Sequence, residues 1–298
     1  MGSIPITRSK FELGILLSKV ELEIDGKIAR IYLNRPKVLN AIDTELPCLL
    51  SRAVKEAGDN DEVHVIILSG RGDAFCAGYD LTAFAQEKDN PLTQKMPWDP
   101  IKDYKFMWQN NEHFMSLFHC LKPVICKIHG IGAFAGGTDI ALCSDFIFIE
   151  NDAKIGYMPT RVWGTPTTAM WMYRLGPEKA KRMLFTGDKI SGLEAERLGL
   201  VLKAVSKEKL DDEVESFAMR MTTVPLNQLA MQKILINQAI ESSGLLNSQK
   251  FATIFDGISR HSPEGLNFKK MSEEYGWKNA VKERDNGTYD WTKDRSSN

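Results

Sequence analysis

The feature that most limits the fold is an alternation in the first half of the chain. Short runs of β-branched and aliphatic residues recur there, separated by a helix-period stretch and by glycine-rich turns. Val20–Ile24 and Ile28–Leu33 carry apolar residues at alternate positions, and Asp25-Gly26 between them reads as a two-residue hairpin turn. Ala41–Ala57 places Ile42, Leu46, Leu49, Leu50, Ala53, Val54 and Ala57 at three- and four-residue spacings, with Asp43 near the start and Gly58 past the end, as in an amphipathic helix. Val63–Leu68 is a nearly unbroken apolar run, which suits a strand covered on both faces. Strand, helix and strand in that order imply a crossover and a layered α/β core. The pattern returns with Val124–Ile128 as a strand, a turn through Gly130–Gly137, a helix from Thr138 and a strand at Phe146–Glu150.

After Glu178 the patterns turn helical, including Glu208–Met221, Leu226–Ser242 and Gln249–Arg260, and nothing reads as a strand after Leu200–Val205. The expected organisation is an N-terminal extension (1–19), an α/β core (20–206) and a C-terminal helical region (207–298). Between Phe84 and Phe118 a segment begins polar, at Gln86-Glu87-Lys88-Asp89-Asn90-Pro91, and ends aromatic, with Trp98, Tyr104, Phe106 and Trp108. It suits a loop over a broad apolar pocket or a surface helix with its connector.

Composition narrows the function. Hydrophobic residues at 43% and charged residues at 26% are the balance of a globule with its own core, not of a disordered chain. Thirty-eight Lys and Arg against 39 Asp and Glu give no broad cationic field, so nucleic acid is not the expected partner. Apolar runs such as Val65–Leu68 fall far short of the roughly 20 residues that cross a bilayer. Met1–Lys10 lacks the apolar stretch of an export signal. The five cysteines are scattered and show no C-x-x-C pairing, so reduced thiols, no metal and a cytoplasmic location are expected.

Two segments place small residues directly after a strand, where backbone can approach a ligand: Phe75-Cys76-Ala77-Gly78-Tyr79-Asp80-Leu81, and His129–Asp139 with its Ala135-Gly136-Gly137. Unpaired N–H groups at such a turn can hold an oxygen that becomes negative during reaction, and either segment taken singly also reads as a tight turn. Together with Leu33-Asn34-Arg35-Pro36-Lys37-Val38-Leu39-Asn40-Ala41 and Thr186-Gly187-Asp188-Lys189-Ile190-Ser191, in this order, they form a pattern. The chain resembles the crotonase, or enoyl-CoA hydratase/isomerase, superfamily over Val20–Val205 and more loosely through the helical tail.

The resemblance implies a spiral of ββα units, a C-terminal helical region that makes homotrimers, and hexamers of two trimers. It implies an acyl-CoA substrate, with no cofactor beyond the coenzyme A of that substrate. The N–H groups of Tyr79 and Gly136 would bind the thioester oxygen. Lys37, Val38, Leu39, Ala41, Ala77, Asp80 and Leu81 would line the coenzyme A groove, although packing also accounts for Val38, Leu39 and Leu81, and Lys37 also reads as a solvated charge. Two donors on a thioester carbonyl favour an enolate, and the acid or base standing over the carbon chain decides its fate.

The chain departs from the family's two-glutamate hydration pair. Asp139 stands at the first position, and the stretch from Ile155 to Pro166 has no Asp or Glu, with Pro159 or Thr160 where the second would fall. Three readings stay open. One is a double-bond isomerase or one-base hydratase running on Asp139; another is a hydrolase of a thioester or carbon–carbon bond. The third is a non-catalytic acyl-CoA-binding or RNA-binding protein. The first is the expectation. Tyr157, Arg161, Trp163, Tyr173 and His113 are candidate substitutes for the missing acid, with packing the stronger reading for Trp163 and Tyr173. His129 is expected to be structural, and Asp145 to cap or pair locally.

Overall fold

The computed structural model describes residues 19–88, 90, 92 and 96–293. The expected 1–19 extension lies almost wholly outside them, as do Asp89 and Pro91 of the polar segment. β1 (Val20–Asp25) and β2 (Ile28–Leu33) form the expected hairpin, but the turn is Gly26-Lys27. Asp25 pairs with Ile28, and Gly26 takes φ +55° at the first turn position. Helix α1 (Leu46–Asp59) starts later than the periodicity predicts. Ile42 is held extended instead, its N–H donating to the Gly78 carbonyl and its carbonyl accepting from the Asp80 N–H, while Asp43 Oδ1 accepts from the N–H groups of Glu45 and Leu46.

The remaining elements follow in order: β3 (Val65–Gly70), a π-helical turn (Thr82–Gln86), α2 (Pro100–His119), β4 (Val124–Ile128), β5 (Gly132–Phe134) and α3 (Gly136–Leu142). Then come β6 (Phe146–Glu150), β7 (Lys154–Gly156), α4 (Met170–Leu175), α5 (Pro177–Thr186), β8 (Lys189–Ser191), α6 (Gly192–Leu198) and β9 (Lys203–Val205). The C-terminal helices are α7 (Lys207–Met221), α8 (Leu226–Ser242), α9 (Leu245–His261), α10 (Pro263–Tyr275) and α11 (Trp277–Asn286). Among the described residues no helix is long and apolar enough to cross a membrane.

Six strands make one sheet in the order β1-β2-β3-β4-β6-β9, parallel from β2 onward, and β5-β7-β8 make a second, smaller one. Successive turns of chain feed both sheets: β4 then β5 then α3, and β6 then β7 then α4. The segment after β3 joins the same pattern through bridges of Ala74 to Gly130 and Cys76 to Ala133. This is a mixed α/β fold with a mainly parallel sheet and a helical C-terminus, the class the sequence predicts.

The main core fills the space between the large sheet and α1, α2 and α3, around fully buried Phe75, Phe114, Trp171, Leu50 and Leu68. The other face is covered by α7, whose Leu210, Val214 and Ala218 pack on Ile28, Val65, Ile67 and Ile125. Because β3 is buried on both faces, its lack of alternation is explained. A third cluster docks the tail: Phe268, Met271, Ala280 and Trp291 close over Ala85 of the π-helical turn.

Candidate active site

The two small-residue segments meet because each is stitched into the ladder around β5. The N–H groups of Phe75 and Cys76 donate to the Gly132 carbonyl at 3.2 and 3.4 Å, Phe134 donates to the Cys76 carbonyl at 2.9 Å, and Ala135 donates to the Gly156 carbonyl at 3.0 Å. Contact is tight. A Cβ on Gly78, whose φ is +96°, would lie 2.7 Å from the Ala135 Cβ and 3.3 Å from the Gly136 nitrogen, and one on Gly137 would lie 2.4 Å from the Cys76 oxygen. Glycine is required at both places. Ala135 itself is held at φ +49° and ψ −127°, a region costly for a residue with a Cβ. These bonds leave the N–H groups of Tyr79 and Gly136 without an acceptor among the described residues. The Tyr79 ring covers Gly136, since a Cβ there would lie 2.8 Å from Tyr79 Cε2.

Ala77, Tyr79, Leu81, Gly136 and Asp139 line one cavity of about 210 Å³. Asp139 is 2% exposed; its Oδ1 accepts from Thr168 Oγ1 at 2.7 Å and from the Thr168 N–H at 3.2 Å. Burial, with the charge of Asp256 adding to it, pushes the Asp139 carboxyl up to about 7 against the pull of the Thr168 donors. The tail secures this arrangement, because Gln249 of α9 donates to the Thr168 carbonyl at 3.2 Å.

Another part of the lining comes from the helical tail and its neighbours. Asp256 and Arg260, one turn apart on α9, both line the cavity. Asp256 Oδ1 accepts from the Thr165 N–H at 3.1 Å and Oδ2 from Arg260 Nε at 3.0 Å, while Arg260 Nη2 reaches Asp103 Oδ2 of α2 at 2.8 Å. Burial raises the Asp256 carboxyl above its ordinary value, with Arg260 opposing. Tyr157, buried in the same wall, has its phenol pushed up chiefly by burial and further by Asp139 and Asp256. Asp256, Arg260 and Asp103 were not among the residues expected from the sequence.

The other expected residues divide between the cavity, its border and sites away from it. Val38 is 42% exposed, so core packing does not explain it, and Lys37 is exposed as well. Lys37, Val38, Leu39, Ala41 and Asp80 do not line the cavity. They lie beside it, for the Leu39 carbonyl accepts from the Ala77 N–H at 3.0 Å and Arg35 Nη2 reaches Asp80 at 3.1 Å. Of Trp98, Tyr104, Phe106 and Trp108, Phe106 alone lines the cavity; Trp98 stacks on His261 at 4.6 Å and Tyr104 on Trp108 at 5.8 Å. Trp163 lines the cavity as well as packing on Phe268.

Pro159, not Thr160, occupies the cavity wall, since Thr160 Oγ1 turns to the Leu184 carbonyl. Arg161, Tyr173 and His113 stay outside it; Arg161 Nε donates to the Thr186 carbonyl and Tyr173 Oη meets Ser248 Oγ at 3.1 Å. His129 likewise stays out, with Nε2 at 2.9 Å from the Gly72 oxygen. Asp145 pairs far from its own position in sequence, with buried Lys233 of α8 at 2.7 Å.

Comparison with known proteins agrees with this architecture. A family model described as enoyl-CoA hydratase/isomerase matches residues 23–266. A solved enoyl-CoA hydratase structure from Mycobacterium smegmatis is 43% identical, with a TM-score of 0.85 over 90% of this chain and 94% of that one. A crotonyl-CoA hydratase of Syntrophomonas wolfei is 31% identical over 74% of this chain and 82% of its own length. A 1,2-epoxyphenylacetyl-CoA isomerase of Escherichia coli is 28% identical over 72% of this chain and 80% of its own length.

Proposed function

Because the chain belongs to the enoyl-CoA hydratase/isomerase family, we propose that this acyl-CoA enzyme binds the thioester oxygen through the N–H groups of Tyr79 and Gly136, and that Asp139 moves the proton at the α carbon. The observation that carries this reading is the convergence of both segments and a buried carboxyl on one cavity. Two fixed donors stabilise the oxygen as it gains charge, and losing one such donor typically costs about 2.7–4 kcal/mol. A carboxyl pushed up to about 7 is half protonated near neutrality, which suits a group that must both take and return a proton.

Coenzyme A runs from the cavity along the Leu39–Ala77 contact, with Lys37, Val38, Leu39, Ala41, Asp80 and Leu81 as its groove. No metal or further cofactor takes part in this scheme. The homotrimer, and the hexamer built from it, are supported by apolar faces on the tail. Ile234 and Leu235 of α8 are 52% and 66% exposed, and Phe251 and Phe255 of α9 are 61% and 52% exposed.

Incubation with 2-enoyl- and 3-enoyl-CoA esters in deuterated water, followed by absorbance and mass, tests the reading. Hydration adds water, isomerisation exchanges hydrogen, and Asp139→Asn is expected to lower both by roughly 10²–10⁴-fold. Full activity in that variant would assign the proton transfer to another residue.

A further inference from the structure

This inference rests on the family reading and adds a residue to it. Three carboxylates reach the cavity: Asp139, Asp256 and Asp285. Asp285 is engaged by Arg284 at 2.8 Å and Lys189 at 3.2 Å. The other two are almost wholly buried, at 2% and 5% exposure, and stand on different walls. Their partners differ in kind. Among the described residues Asp139 has only the two Thr168 donors, whereas Asp256 has a guanidinium at 3.0 Å, itself gripped by Asp103 at 2.8 Å. A cation beside one carboxyl and none beside the other sets the pair apart, with Asp256 the more readily ionised and Asp139 the more readily protonated.

Gly164 stands close to both Asp256 and Tyr157. A Cβ on Gly164 would lie 3.3 Å from Tyr157 Oη, 3.4 Å from Asp256 Oδ1 and 3.0 Å from the Pro159 Cβ. Tyr157, Pro159 and Asp256 all line the cavity, so the hydroxyl and the carboxylate are both within reach of a molecule held there. Pro159 lines the same cavity, and it or Thr160 falls where the family pattern has its second carboxylate.

We propose that Asp256 is the second acid–base residue of this site, activating a water in the cavity beside Tyr157 for addition to a 2-enoyl-CoA thioester, with Arg260 and Asp103 as its positioning residues. The water oxygen bonds to the β carbon with its own lone pair while Asp256 accepts the released proton. The π pair moves through the enolate to the α carbon, which takes the proton of Asp139. One water is added across the double bond, and a proton passing from Asp256 back to Asp139 through solvent resets the site. Tyr157 donates to the incoming oxygen and holds it in place.

The test uses the full chain with a 2-enoyl-CoA ester, and follows two reactions: hydration, and solvent deuterium exchange at the α carbon of the saturated acyl-CoA. Exchange needs the oxyanion donors and Asp139 only. Asp256→Asn is expected to lower hydration kcat roughly 10²–10⁴-fold, with KM within about threefold, while α-exchange persists with its pH profile moved to lower pH, because Asp139 loses a neighbouring negative charge. Parallel loss of hydration and exchange would give Asp256 a purely structural role and overturn the proposal, as would hydration retained within tenfold.

Should Asp256→Asn not fold, as judged by circular dichroism, Tyr157→Phe and Asp103→Asn decide. Tyr157→Phe is expected to lower hydration about tenfold and spare exchange. The groups facing Asp256 are Arg260, Asp103, Asp139, Tyr157 and His261. With Asp103 neutralised, Arg260 serves Asp256 alone, so the acidic limb of the hydration pH profile moves to lower pH; an unmoved limb refutes the assignment. An Asp139→Asn protein that keeps both reactions contradicts the underlying reading of Asp139 instead, and leaves the Asp256 result to be judged on its own.

Discussion

The glycine wall of the cavity, Gly78-Tyr79 and Ala135-Gly136, is fixed by backbone hydrogen bonds to Gly132, Gly156, Leu39 and Ile42. The helical wall presents side chains instead, with Asp256 and Arg260 held by the Thr165 N–H and Asp103. The two walls therefore depend on different properties of the sequence. On the first, the useful atoms are ones that almost every residue possesses, and what matters is φ, ψ and the absence of a Cβ at Gly78 and Gly137. On the second, residue identity is everything, because a carboxylate or a guanidinium has no backbone substitute. If the glycine wall holds the thioester oxygen as proposed, a fold of this kind can keep that wall and vary the other to change where protons and water go.

The largest expected effect comes from attacking the geometry of the glycine wall without touching a donor. Gly78→Val adds a Cβ 2.7 Å from that of Ala135, at a φ of +96° that a β-branched residue avoids. Displacement of the adjoining amides is expected to lower kcat by roughly 10²–10³-fold, the scale of one lost oxyanion donor. Stopped-flow turnover with an enoyl-CoA ester measures this. Turnover within fivefold of the unmodified chain would show that the loop need not be rigid.

The next effect separates stability from catalysis at Asp139. Its carboxyl is pushed up to about 7 in the folded chain, against about 3.9 when unfolded. The folded state thus binds the proton more tightly. Stability from this group is complete below pH 4, falls as pH rises towards 7 and stays low above it. The loss amounts to about 4 kcal/mol. Asp139→Asn removes it, so the variant is expected to melt above the unmodified protein at pH 8, with the gap closing by pH 4. A gap that does not change with pH would mean that the carboxyl titrates normally. The corresponding experiment on the glycine wall has no pH dependence, which is the contrast between the walls in measurable form.

What was legible in the sequence follows the same division. The large sheet declared itself because β2, β3, β4 and β6 are five or six residues of β-branched and apolar character. β5, β7 and β8 are three residues each, too short to show a period, so the second sheet went unread. Ala41–Asp43 follows the helical period and yet stays extended, because Ile42 completes the Gly78–Asp80 loop. The glycine segments stood out by their local composition. Asp256 did not, because the tail inverts the usual rule: on α9, Phe251, Ile254, Phe255 and Ile258 are exposed while Gln249, Thr253 and Asp256 are buried. The available signal was the polar stripe Gln249, Thr253, Asp256 and Arg260 at four- and three-residue spacing along a helix whose apolar face points elsewhere.

A smaller effect tests whether the strain at Ala135 serves the site. At φ +49° and ψ −127° an alanine costs on the order of 1–3 kcal/mol, and glycine would relieve that cost while adding about 0.4–1 kcal/mol of unfolded-chain entropy. Ala135→Gly is expected to raise Tm by a few degrees with turnover retained. A lower Tm would mean that the Ala135 Cβ packs against Gly78 with more benefit than its backbone strain costs.

The smallest expected effect bears most directly on the claim that the glycine wall works through main-chain atoms. Tyr79 Oη accepts a single, long hydrogen bond from Asn110 Nδ2 at 3.4 Å, and the ring packs edge-on against Phe84 at 5.7 Å. Tyr79→Phe keeps the ring, its cover over Gly136 and the backbone N–H, and removes only the hydroxyl. A bond of that length contributes at most about 0.5–1.5 kcal/mol, so kcat is expected to change by less than about threefold and Tm by a degree or two. If the hydroxyl instead mattered as much as Asp139, the phenylalanine variant would lose turnover by orders of magnitude, and the glycine wall would have to be counted as a second source of proton chemistry. Measuring kcat for Tyr79→Phe beside Gly78→Val, under one set of conditions, therefore decides whether position 79 acts by what it carries or by how its peptide is turned.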